Sequence, residues 1–284
     1  MREVAEDIAL AEAELSEKLV DTAGYVLKMN PTVAYPEFAK HVLPLYAPVL
    51  VAASTIADPG AVHNALCVFV DAFMYGSDKA DIQPMLLPAL LVGLESKDGL
   101  LRQCGAFGLG VCAQARVGDG KWVPDAANAL LVATRADDAE DEDMLVATEN
   151  VVAALGKLGD VLGSEQRCMA AWMAGLPLER DETEAQDSHA RLCRLVLAGA
   201  DVPAVHVLQV LALCLKPKHV AEGEDDEDEA VELVDAEVRG TVLPEAIKRL
   251  ATRLGAEATK QAVGEIADAH AKVLVVQLLN AAFP

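Results

Sequence analysis

A chain of 284 residues with a formal charge of −22, from 45 acidic against 23 basic side chains, is repelled by phosphate backbones and anionic membrane surfaces. The charge argues against direct nucleic-acid or lipid binding and favours basic protein partners. Hydrophobic residues make up 53% of the chain and aromatic ones only 4%, with Ala, Val and Leu dominant, which points to a nearly all-α protein packed through small and aliphatic side chains.

The helical pattern opens with an amphipathic, acidic segment over 2–29 that has neither the charged start nor the apolar run of a secretion signal, and stops at Asn30-Pro31. Its partner is predicted over 35–53. The most apolar run, 41–57, contains Pro44 and Pro48 and meets Asp58-Pro59, so it reads as a buried helix and not a membrane span. Asp58-Pro59, an N-cap followed by proline at the first helical position, opens a helix that stops at Gly76. Further helices are predicted over 81–94, 98–114, 123–134, 143–162, 166–176, 181–198 and 203–215. After an acidic break come two long ones over 230–254 and 257–279.

Equivalent helices recur every 37 to 46 residues or so and the turns within pairs are short. This is the pattern of HEAT-type repeats: antiparallel helix pairs stacked into a right-handed α-solenoid that buries a continuous core. The expected organisation is stacked repeats over 1–220, an acidic linker over 221–229, and capping helices of the same array over 230–284.

Cys67, Cys104, Cys112, Cys168, Cys193 and Cys214 lie inside apolar patterns with no CxxC pair, and His41, His63, His189, His206, His219 and His270 are isolated in sequence. The cysteines read as buried small hydrophobes of a reducing compartment, and no metal, cofactor or catalytic residue is assigned. Gly108-Leu-Gly110-Val-Cys-Ala113 fits the dinucleotide fingerprint as a string but follows a helical pattern where a strand is required, so it reads as close helix packing. The acids over 138–149 have the length of a calcium-binding loop. Asp143, however, stands where that loop needs glycine, and a helix should begin there.

Three ordered motifs carry a family resemblance. Arg102, Gln103, Phe107, Gly108, Leu109, Gly110, Val111, Ala113 and Gln114 form the first; Ala147, Thr148, Glu149, Asn150, Ala154, Gly156 and Lys157 form the second. Trp172, Leu176, Pro177, Leu178, Asp181, Glu184 and Ala185 form the third. Together they resemble late repeats of the importin-β (karyopherin-β) nuclear transport receptors, in their importin-5-like branch. The resemblance implies a receptor, not an enzyme, that recognises basic cargo such as ribosomal or histone proteins. It further implies passage through nuclear pores on Phe-Gly nucleoporins, cargo release by Ran-GTP, and shuttling between cytoplasm and nucleus as a monomer. Repeats that bind Ran in that family have no counterpart here, so the resemblance is to its C-terminal region. A non-transport scaffold that holds a protein complex together is the alternative for such an array.

Arg102 is expected to pair with Asp98 or with an acid of the next repeat, in the manner of HEAT ladders. Glu149, Asn150, Trp172, Pro177 and Asp181 are likewise expected to be structural. The cargo-binding candidates are Asp125 and the run Glu222, Glu224, Asp225, Asp226, Glu227, Asp228 and Glu229, whose like charges repel one another unless a basic segment neutralises them; the alternative for the run is a solvated linker with no binding role.

Overall fold

Apolar residues at helical spacing, punctuated by Asp, Pro and Gly, produce an all-α chain with no strand among the described residues. The computed structural model describes residues 2–116, 118–163, 166–219 and 230–282. The chain divides into two compact units, Met1–Ala171 and Trp172–Pro284.

The first unit contains α1 (Arg2–Met29), α2 (Pro31–His41), α3 (Leu43–Val51), α4 (Pro59–Tyr75), α5 (Lys79–Leu94), α6 (Gly99–Ala115), α7 (Val123–Ala133) and α8 (Leu145–Val161). The first helices of successive pairs pack on one another, α1 on α4, α4 on α6 and α6 on α8, while α3, α5 and α7 form a second layer. This is the two-layered stacking of HEAT repeats. The helices start where the chain supplies caps. Asp58 accepts from the Gly60 and Ala61 amides at 3.0 and 3.4 Å, and Asp98 accepts from Leu101 N–H at 3.0 Å. Removing such a cap costs about 1 kcal/mol.

Glycine lets α6 lie close to its neighbours. A Cβ on Gly105 would come within 2.6 Å of the Leu94 nitrogen and the Leu90 carbonyl oxygen, and one on Gly108 would strike Leu90 and Val70. A Cβ on Gly110 would meet Lys157 at 2.9 Å. Leu66, Phe69, Phe73, Leu86, Leu90, Leu109, Leu130, Leu155 and Leu158 fill the core, each less than 2% exposed.

The second unit takes in the end of α9 (Gln166–Ala174), then α10 (Glu182–Ala198), α11 (Ala204–Leu213), α12 (Ala236–Gly240), α13 (Val242–Leu254), α14 (Ala256–Gly264) and α15 (Ala269–Ala282). Asp181 caps α10 by accepting from Glu184 N–H at 3.1 Å, and Gly199 ends it at φ 81°, a conformation open to glycine. The amphipathic α13 buries Leu243, Ala246, Ile247, Leu250 and Ala251 against α10 and α11. Helices before and after the acidic run therefore share one core.

Three helices predicted as continuous are broken. The 35–53 helix is α2 and α3, because Pro44 lacks the N–H that would bond Lys40 and its ring crowds that carbonyl. The 230–254 helix begins only at Ala236, where Asp235 caps by accepting from Val238 N–H at 2.8 Å, and it breaks again at Thr241 ahead of Pro244. The 257–279 helix stops at Gly264 and restarts under the cap of Asp268, which accepts from Ala271 N–H at 2.8 Å.

Candidate functional site

The first two family motifs are packed on each other. Gly110 of α6 faces Ala154 and Lys157 of α8, and the Lys157 ammonium sits 5.5 Å from the centre of the Phe107 ring. Gly108 and Gly110 lie mid-helix against side chains, which leaves no cradle for a phosphate. Arg102 is 5% exposed and does not pair with Asp98; its guanidinium donates to both carboxylate oxygens of Asp138 at 2.7 and 2.9 Å and to the Ser96 carbonyl at 2.7 and 3.0 Å. This bidentate grip ties the start of α6 to the segment after α7, and its hydrogen bonds hold the Asp138 carboxyl below the usual range. Thr148 reinforces the segment by donating to the Ala139 carbonyl at 2.8 Å. Glu149 and Asn150 are buried in α8, where the Asn150 amide donates to Val146 O at 3.1 Å.

The acids are placed otherwise. Asp125 is exposed in the first turn of α7. Between α7 and α8, Asp137, Glu140, Asp141, Glu142 and Asp143 are all exposed, and a 3₁₀ turn over Glu142–Met144 leads into α8. That turn occupies the middle of the calcium-loop look-alike and α8 follows at Leu145, so the helix starts where a metal loop would still be turning. The run Glu222, Glu224, Asp225, Asp226, Glu227, Asp228 and Glu229 lies outside the described residues. Outside it, His219 and Val231 exchange two backbone hydrogen bonds of 2.8 Å. Exposed apolar side chains gather on α1, among them Leu15, Leu19, Tyr25, Val26 and Met29.

The third motif builds the core of the second unit. Trp172 is fully buried with the Arg191 guanidinium 4.5 Å from its ring centre. Pro177 is half-buried and follows a cis peptide bond, and the adjacent Leu178 N–H donates to His189 Nε2 at 3.3 Å. The other ring nitrogen of His189 lies 2.8 Å from the Leu233 carbonyl, which fixes a neutral imidazole with Nδ1 as the donor. Burial drives its pKa down to about 4. His219 Nε2 is 2.9 Å from Glu179 Oε1, close enough for an ion pair though not aligned as a hydrogen bond. Lys216 and Asp268 pair at 2.7 Å. Burial opposes ionisation of Asp268, yet the Ala271 amide and Lys216 hold its pKa below the usual range.

One constellation escaped the sequence reading. His63 and Cys67 stand one turn apart on α4, with Nε2 and Sγ 3.6 Å from each other, and Cys104 of α6 brings its sulfur to 3.6 Å from that of Cys67. The spacing His63-x-x-x-Cys67 was a legible signal; Cys104 entered only through helix packing. Hydrogen bonding from Cys104, helped by His63, lowers the Cys67 pKa against the effect of burial, and the same contact raises that of Cys104. Burial pushes Cys112 and Cys193 up to about 12, as inert core thiols. Nearby Asp71 is raised to about 6 by burial, then by Cys67 and Asp21, with Lys28 pulling the other way. His63 also lines a cavity of about 340 Å³ with Glu14, Ser16, Glu17, Asn64 and Asp98.

Comparison with known proteins agrees with the fold. No family model matches the chain. A probable importin-5 homolog of Dictyostelium discoideum is 24% identical over 232 residues, which covers 74% of this chain and 22% of that protein. The chain thus spans about a fifth of the length of the curated relative it matches. Among solved structures, Kap121p bound to Nup53p superposes with a TM-score of 0.71 at 19% identity, over 94% of this chain and 23% of that one. Kap121p bound to the SUMO protease Ulp1p gives 0.65 at 20% identity, over 90% and 24% respectively.

Proposed function

We propose that this chain, similar over 74% of its length to a probable importin-5 homolog, forms part of the cargo-binding body of a nuclear transport receptor of the importin-β family. Its cargo segments are basic. The observation that carries this reading is the charge of −22, of which Asp125 and five carboxylates between Asp137 and Asp143 stand exposed on the first unit. The acids Glu222 to Glu229 add a second negative element. Such fields speed the capture of Lys/Arg-rich segments and weaken as salt screens them. Nup53p and Ulp1p occupy the structurally similar Kap121p, which supports protein partners for a fold of this kind. Exposed apolar residues of α1, such as Leu15 and Leu19, offer a surface for Phe-Gly segments. Ran-GTP acts mainly through other repeats, and the protein shuttles between cytoplasm and nucleus.

The test is fluorescence anisotropy of a labelled Lys/Arg-rich peptide against the full chain at low and at high salt. Neutralising Glu140, Asp141, Glu142 and Asp143 together, or replacing the 222–229 acids by Ser and Gly, is expected to weaken low-salt binding about tenfold. Affinity unchanged in both variants contradicts the reading.

A further inference from the structure

We propose that His63, Cys67 and Cys104 form a zinc-binding site in the first unit. Three potential ligand atoms, one imidazole nitrogen and two sulfurs, lie within 4.8 Å of one another. A tetrahedral zinc centre with Zn–S bonds of about 2.3 Å and Zn–N bonds of about 2.0–2.1 Å has S···S and S···N edges of about 3.5–3.8 Å. Two edges of the observed triangle already have that length, 3.6 Å from His63 Nε2 to Cys67 Sγ and 3.6 Å from Cys67 Sγ to Cys104 Sγ.

The scaffold that sets this geometry is closely packed. His63 and Cys67 share one face of α4 because they are four residues apart. Cys104 reaches them because α6 lies hard against its neighbours, with Gly105 on the α5 backbone and Gly108 against Leu90 of α5 and Val70 of α4. All three ligand residues are half-buried, so an ion can enter. His63 also borders the cavity, from which a water molecule would enter to take the fourth position.

The chemistry selects the ion. Two thiolates and an imidazole are a soft donor set that suits zinc over magnesium or calcium. Binding displaces the thiol protons of Cys67 and Cys104 to solvent, and the resulting pair of negative charges matches a dication. Acidic neighbours on the surrounding helices, Glu17 and Asp21 of α1 and Asp71 of α4, favour a cation there, with Lys28 of α1 as the opposing charge.

The experiment uses the full chain, reduced with a phosphine, freed of metal with a chelator and titrated with Co²⁺ and then Zn²⁺. One Co²⁺ per chain should bind with a sulfur-to-metal charge-transfer absorption that Zn²⁺ bleaches. Cys67→Ser and Cys104→Ser are expected to abolish the band, and His63→Ala to weaken Zn²⁺ binding at least about tenfold. Cys112→Ser, a core thiol elsewhere on α6, should keep it. Circular dichroism checks that each variant retains its helices, and if a serine variant unfolds, the spectrum of the unsubstituted chain decides whether sulfur is a ligand. No charge-transfer band in that chain, or a band that survives in the folded Cys67→Ser/Cys104→Ser double variant, overturns the assignment.

Discussion

The first unit fastens one helix pair to the next with a charged clasp, Arg102 on Asp138, whereas the second fastens its segments with a neutral histidine held between two backbone groups. Both devices satisfy backbone or side-chain groups that burial would otherwise leave unpaired. They differ in what disrupts them. A guanidinium stays charged at any pH a protein survives, so the first clasp responds to mutation and hardly to mild acid. The histidine is stable only while it stays neutral.

Removing the largest buried side chain gives the strongest contrast. Trp172→Ala should cost the second unit about 4 kcal/mol, because the ring is fully buried and its loss also removes the face on which Arg191 stacks. In urea unfolding followed by circular dichroism, the transition of the second unit should move to lower denaturant while that of the first stays put. A single transition that shifts as a whole would erase the distinction between the units.

Acid sharpens the contrast. With a folded pKa of about 4 against 6.5 unfolded, His189 takes up its proton in the unfolded chain long before it does so in the folded one. Its contribution is therefore complete above pH 6.5 and is lost as pH falls toward 4, by about 3 kcal/mol in all. His189→Gln should flatten the stability–pH slope of the second unit between those values, and an unchanged slope would point to another group.

A smaller effect is expected of Arg102→Ala, about 2 kcal/mol from the first unit, for the loss of hydrogen bonds to Ser96 and Asp138 by a buried side chain. Asp138→Ala should cost less, since that carboxylate keeps access to water, and the double variant should cost less than the sum of the singles. Additive losses would show that the two side chains do not act as a pair.

Helix starts were readable because they depend on neighbours in sequence: Asp58, Asp98 and Asp181 each cap a helix through an amide two or three residues on. The breaks at Val42, Thr241 and after Gly264 were not, because apolar spacing runs on through them, although Pro44, Pro244 and the cap Asp268 lie within a few residues. Candidate-site residues divide in the same way. The exposure of Asp125 follows from its place on the polar side of α7, but the partner of Arg102 stands 36 residues away.

By itself the sequence determined the helix-pair period, the all-α class and the acidic surface, because propensity, capping and net charge are local or additive properties of the chain. The tertiary structure alone decided that Asp138 answers Arg102, that Leu178 and Leu233 hold His189, and that Cys104 joins His63 and Cys67. Each of these depends on which turn of one helix comes to rest against which turn of another, and stacked small residues such as Gly105 and Gly108 fix that register only once the chain has folded.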